Sequence, residues 1–120
     1  MNELDIRKWV DRANLDLSAA TYLLDGQYYQ DAAFHGQQAV EKALKALFLK
    51  KFSKLIRTHE LVFLAKKVGA NPEILKLCET LNPFFVQTRY PGYEEEISAE
   101  ETEELIANAK KVIEWAVNQL

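Results

Sequence analysis

Cysteine occurs once, as Cys78, so no disulfide can form within the chain. No Cys/His cluster has zinc spacing, and burial in a core is the expected role of a lone thiol. No apolar run approaches the ~20 residues that a membrane span needs. The N-terminal "MNELDIRKWV" is too polar for a signal segment. A cytoplasmic protein that does not enter a membrane is the expectation. Four Gly and three Pro among 120 residues leave little chain for irregular structure. Period-two alternation long enough for a strand is missing. So are a nucleophile elbow, an HExxH pair and a P-loop. The residues therefore point to no metal, no cofactor and no recognisable catalytic group.

What is present is helical periodicity almost throughout. Ile6, Trp9, Val10, Ala13, Leu17, Ala20 and Leu24 recur at three- and four-residue steps, which predicts a first helix over 3–25. Gly26 is its expected left-handed stop. A second helix is expected over 30–52. Its apolar face is mostly small: Ala32, Ala33, Gly36, Ala39, Val40 and Ala43. Asp31, His35, Gln38, Lys42 and Lys45 project to the other side. Gly36 costs about 1 kcal/mol relative to alanine in mid-helix, so another backbone is expected to approach it closely. Thr58 reads as the N-cap of "HELVFLAKKV", which stops at Gly69. Asn71-Pro72 reads as cap and first-turn proline for "EILKLCETL". Asn82-Pro83 restarts or kinks the chain before "FFVQTRY". Ser98 and Glu101 form a capping-box pattern for a last helix over 99–118. The expected architecture is all-α, one domain over 1–120, an up-and-down bundle of four to five helices.

Charge is uneven. Residues 42–67 hold eight Lys or Arg against Glu60 alone, a local +7, while 94–104 hold seven Glu and no basic residue. Opposite-sign segments can attract one another, attract partners, or stay solvated. Crowded glutamates also suit a helix N-terminus.

On the residues alone, each candidate has two readings. His35 and His59 are the only histidines. They are possible acid–base groups, or simply an edge residue and a first-turn residue. Arg89-Tyr90 precedes Pro91, which biases Tyr90 away from helical angles. The pair suits phosphate and base contact. Equally, Tyr90 can pack under the helix end while Arg89 pairs with one of Glu94 to Glu96.

Trp9, Asp16-Leu17, "FHGQQAVEKALKAL" over 34–47, "THEL" over 58–61 and "RYPG" over 89–92 together resemble the HEPN domain (higher eukaryotes and prokaryotes nucleotide-binding). They do so in order, across nearly the whole chain. The resemblance implies a helical bundle, a homodimer with small-residue helix faces meeting, and a nucleotide or RNA ligand. It also implies a minimal nucleotidyltransferase partner in a two-component, toxin–antitoxin-like pair. Ribonuclease members resemble one another in an arginine followed, after four to six residues, by a histidine. Here Arg57 precedes His59 by two positions, and no histidine follows Arg89.

The expectation is thus a non-catalytic binding module. Lys42 and Arg89 would hold phosphate, Tyr90 would stack, His35 and Gln38 would hydrogen-bond, and His59 would complete the site. One alternative is a divergent metal-independent ribonuclease using a histidine with Arg89. Another is a purely structural dimer that docks a partner, and Tyr90 could itself accept a nucleotide from that partner.

Overall fold

The structure, a computed structural model, describes residues 3–82 and 97–120. Those residues form five α-helices in the order α1 (Glu3–Asp25), α2 (Tyr29–Phe52), α3 (Leu61–Lys67), α4 (Pro72–Leu81) and α5 (Ala99–Asn118). The expected restart at Asn82-Pro83, and with it Arg89 and Tyr90, lies outside the described residues. None of the helices is long and apolar enough to cross a membrane.

α1 and α2 run antiparallel. Glu3 Oε1 meets Lys50 Nζ at 2.9 Å, Lys45 lies over the Trp9 ring, and Asp16 contacts His35. Rising numbers on α1 thus meet falling numbers on α2. Ala13 and Ala20 of α1 and Ala32, Ala33, Ala39 and Ala43 of α2 are fully or almost fully buried. Small side chains let the helices approach closely, as the small-residue face predicts. α5 packs across both helices with Leu105, Ile106, Ala109, Val112, Ile113 and Ala116, while α3 and α4 pack on each other and close the rest of the core. Cys78 is buried in that core, where desolvation pushes its thiol up to about 12. It is an inert packing residue.

The helix ends follow local chemistry, with three departures from expectation. After α1, the left-handed residue is Gln27 (φ 66°), not Gly26. Tyr28 N–H donates to Leu23 O and Gln27 N–H to Leu24 O, a Schellman closure that places Gln27 at the left-handed position. Gly26 instead leaves room for the Tyr28 ring, whose Cδ2 would lie 3.1 Å from an added Cβ. Thr58 is not the N-cap of α3. Glu60 holds that position without a side-chain cap, and the Leu61 N–H is satisfied by Asn82 Oδ1 at 2.8 Å. Gly36 is approached by a side chain rather than a backbone: an added Cβ would lie 3.0 Å from Leu105 Cδ2. The remaining signals read correctly. Gly69 (φ 81°) ends α3, Asn71 Oδ1 caps α4 through Ile74 N–H, and Ser98 and Glu101 form a reciprocal capping box.

Candidate functional site

The polar residues of α2 do not line a uniformly wet face. They form a seam with two layers. The deeper layer is Gln37, Glu41 and Lys45, spaced one turn apart and all buried. The outer layer is Gln38 and Lys42, with His35 beside them, all partly exposed. Lys45, expected on the solvent side, is buried because its ammonium has two local partners. Glu41 Oε2 accepts from it at 3.1 Å, and the Trp9 ring lies 5.8 Å away. Trp9, Val10, Ile6, Ala46 and Leu49 cluster around this part of the α1–α2 seam, which lets the lysine stem pack while its charge stays paired.

Two carboxylates organise the seam, and each bridges one lysine and one histidine. Asp16, from α1, accepts from Lys42 through Oδ2 and meets His35 Nδ1 at 3.3 Å through Oδ1. Glu41, from α2, accepts from Lys45 through Oε2 and meets His59 Nδ1 at 2.9 Å through Oε1. The Glu41 side chain is only 5 % exposed, whereas His59 is 51 % exposed. A buried carboxylate thus fixes the ring of a solvent-accessible imidazole, which sets its orientation and favours a proton on Nδ1. α2 anchors both units, contributing His35 and Lys42 to the first and Glu41 and Lys45 to the second, while Asp16 comes from α1 and His59 from the loop after α2.

Gln38 Nε2 donates to Gln37 Oε1 at 2.8 Å. The buried Gln37 Nε2 has no hydrogen-bond partner among the described residues. A buried orphan donor is uncommon and marks a place where an acceptor is wanted. No group of three or more His, Cys, Asp or Glu is placed to hold a metal among the described residues.

Of the expected site residues, His35 and Lys42 converge on one carboxylate, Gln38 lies beside them, and His59 joins the neighbouring unit. Arg89 and Tyr90 lie outside the described residues. The sequence reading missed Asp16 and Glu41 as organising groups and Gln37 as an orphan. The available signal was the ladder Gln37–Glu41–Lys45 at four-residue spacing. It includes a Glu-to-Lys pair in the favourable order, yet it occupies the flank of an otherwise apolar helix.

The chain matches the HEPN domain family model over residues 6–120. It belongs to the HEPN family. The HEPN bundle is also found in solved structures similar to this one. TT1696 from Thermus thermophilus superposes with a TM-score of 0.85 at 26 % identity, covering 96 % of this chain and 98 % of that one. ST0689, an archaeal HEPN homologue, superposes with a TM-score of 0.81 at 28 % identity, covering 95 % and 96 % of the two chains. In sequence, the chain is 30 % identical over 125 residues to a Methanocaldococcus jannaschii protein named "Putative toxin MJ1304", covering 88 % of this chain and 82 % of that protein. Apart from "RYPG", which lies outside the described residues, the pieces that resemble the HEPN pattern in sequence contribute residues to the seam. Trp9, Asp16, His35, Gln37, Gln38, Glu41, Lys42, Lys45 and His59 all fall within or beside it.

Proposed function

We propose that this HEPN protein is the toxin-like member of a two-component pair and acts by binding rather than by cleaving. The observation that carries this reading is the pair of Lys–carboxylate–His units anchored on α2. Lys42 uses one ammonium donor on Asp16 and is 20 % exposed, and an ammonium has three donors. A phosphate oxygen can take another while His35 and Gln38 contribute further hydrogen bonds. Arg89 and Tyr90 are assigned phosphate contact and base stacking in this reading. The ligand is a nucleotide or a polynucleotide, and a minimal nucleotidyltransferase is the proposed protein partner. The similarity to a protein named as a toxin supports the two-component setting. A homodimer in this scheme uses a surface other than the small-residue face of α2, which is filled inside the bundle. Titration of ATP and of a short RNA into wild type, Lys42→Ala and Arg89→Ala tests the reading. Absent binding, or binding unchanged in both variants, refutes it.

The Glu41–His59 pair favours one second reading, a metal-independent ribonuclease. A carboxylate-oriented imidazole can move a proton from a 2′-hydroxyl. RNA incubated with the protein in chelator should then be cleaved, and His59→Ala should abolish cleavage. Intact RNA in both samples removes this reading.

A further inference from the structure

The C-terminal end of α2 and the face of α3 leave an apolar groove open at the surface. Phe52, Leu55 and Phe63 are all exposed. With Ile56 and the buried Phe48 they line a recess of about 390 Å³. Single exposed apolar side chains are ordinary, but several gathered around one concavity mark a contact surface.

Charge narrows the occupant. Lys54 and Lys67 complete the lining of the recess. Lys51, Arg57 and Lys66, on the same stretch of chain, are also exposed. None of these five cations has a carboxylate within ion-pair distance among the described residues, whereas Lys42, Lys45 and Lys50 of α2 are each paired. Glu60, the one acidic residue of 51–67, accepts from Asn82 Nδ2. Among the described residues, the groove therefore has a cationic rim with no neutralising carboxylate.

Nucleic acid would need open ring faces for stacking. Here Lys67 Nζ lies 5.6 Å over the Phe63 ring, and the Phe52 ring tilts against Phe48 at a centroid distance of 4.7 Å. The rest of the apolar lining, Leu55 and Ile56, is aliphatic. Such a recess fits an inserted side chain, and its rim fits flanking carboxylates. We propose that this groove docks an acidic amphipathic segment of a partner protein. Apolar side chains of the segment seat among Phe52, Leu55 and Phe63, and its carboxylates meet Lys54 and Lys67. The groove shares no residue with the polar seam, and the proposal does not rest on nucleotide binding there.

Selection from a random displayed-peptide library on the full chain tests it, with counter-selection on Lys54→Glu/Lys67→Glu. Both changes are on exposed residues, and circular dichroism verifies that the variant stays folded. The expected result is enrichment of peptides that combine Glu or Asp with Leu, Ile or Phe. Those peptides should bind the variant about tenfold or more weakly, and shift the amide resonances of Phe52, Leu55 and Phe63 in a labelled sample. No enrichment, enrichment of basic or uncharged peptides, or equal binding to the variant overturns the proposal. So does an oligouridylate that moves the same resonances when acidic peptides do not, or a wild-type dimer that the charge reversal dissociates.

Discussion

His59 rests on Glu41: its Nδ1 lies 2.9 Å from a carboxylate oxygen that is itself buried, and the other oxygen of the same carboxylate holds Lys45. A loop residue between α2 and α3 is thereby tied to the deepest polar layer of α2. One carboxylate settles both a buried charge and the orientation of an exposed ring.

Removing that carboxylate should be costly. Glu41→Gln leaves the Lys45 ammonium buried with a weaker partner. Breaking a buried ion pair on one side typically costs about 3–5 kcal/mol, and the Trp9 contact recovers little of it. Glu41→Gln should therefore unfold at clearly lower denaturant, whereas Glu41→Leu/Lys45→Met should regain most of the loss. Equilibrium urea unfolding of the three proteins measures this.

Gly36 should tolerate alanine and nothing larger. The helix gains about 1 kcal/mol from the exchange, and the neighbour in the way is the end of the Leu105 side chain, 3.0 Å from the new Cβ. A leucine methyl can turn aside where a backbone could not. Gly36→Ala should fall within about 1 kcal/mol of wild type, and Gly36→Leu should lose about 2 kcal/mol or more through overpacking. Thermal melts of both variants decide it.

Asn82 should matter more than an ordinary helix-end residue. Its side chain accepts from Leu61 N–H and donates to Glu60, so it caps a helix 21 residues earlier in the chain. Asn82→Ala should cost about 1–2 kcal/mol, the range for a lost cap, while Thr58→Ala should cost clearly less. Hydrogen exchange at Leu61 should quicken only in the first variant.

Cys78 should be silent in the native state. Its thiol ionises at about 12 when folded against 9.0 as a free side chain. The folded state holds the proton more tightly, so this contribution to stability is complete below about 9 and is lost as pH rises toward about 12. A thiol reagent at neutral pH should react at the rate of opening, not of chemistry. Wild type should also lose stability between pH 9 and 12 faster than Cys78→Ala, followed by urea unfolding.

Where the determinants are local, the fold was legible in the sequence. α1 and α5 span the expected residues, α3 stops before Gly69 and α4 starts after Asn71, because periodicity, these two residues and the Ser98–Glu101 box act within one or two turns. Two of the departures have a different cause. Thr58 lost the cap of α3 to Asn82 because the competing partner arrives through tertiary packing. Lys45 reads as solvent-facing by projection, but Glu41 and Trp9 make its burial tolerable. His35 and Lys42 were legible as neighbours on one helix stripe. Their common partner Asp16 was not, since it lies on another helix and no spacing rule links positions 16 and 42.

The most direct test of the binding account is calorimetric titration of ATP and of a short single-stranded RNA into wild type, Lys42→Ala and Asn82→Ala. The account predicts binding by wild type, affinity lowered about tenfold or more by Lys42→Ala through loss of a charge-assisted hydrogen bond, and unchanged affinity in Asn82→Ala. No heat with either ligand, or equal affinity in wild type and Lys42→Ala, would contradict it.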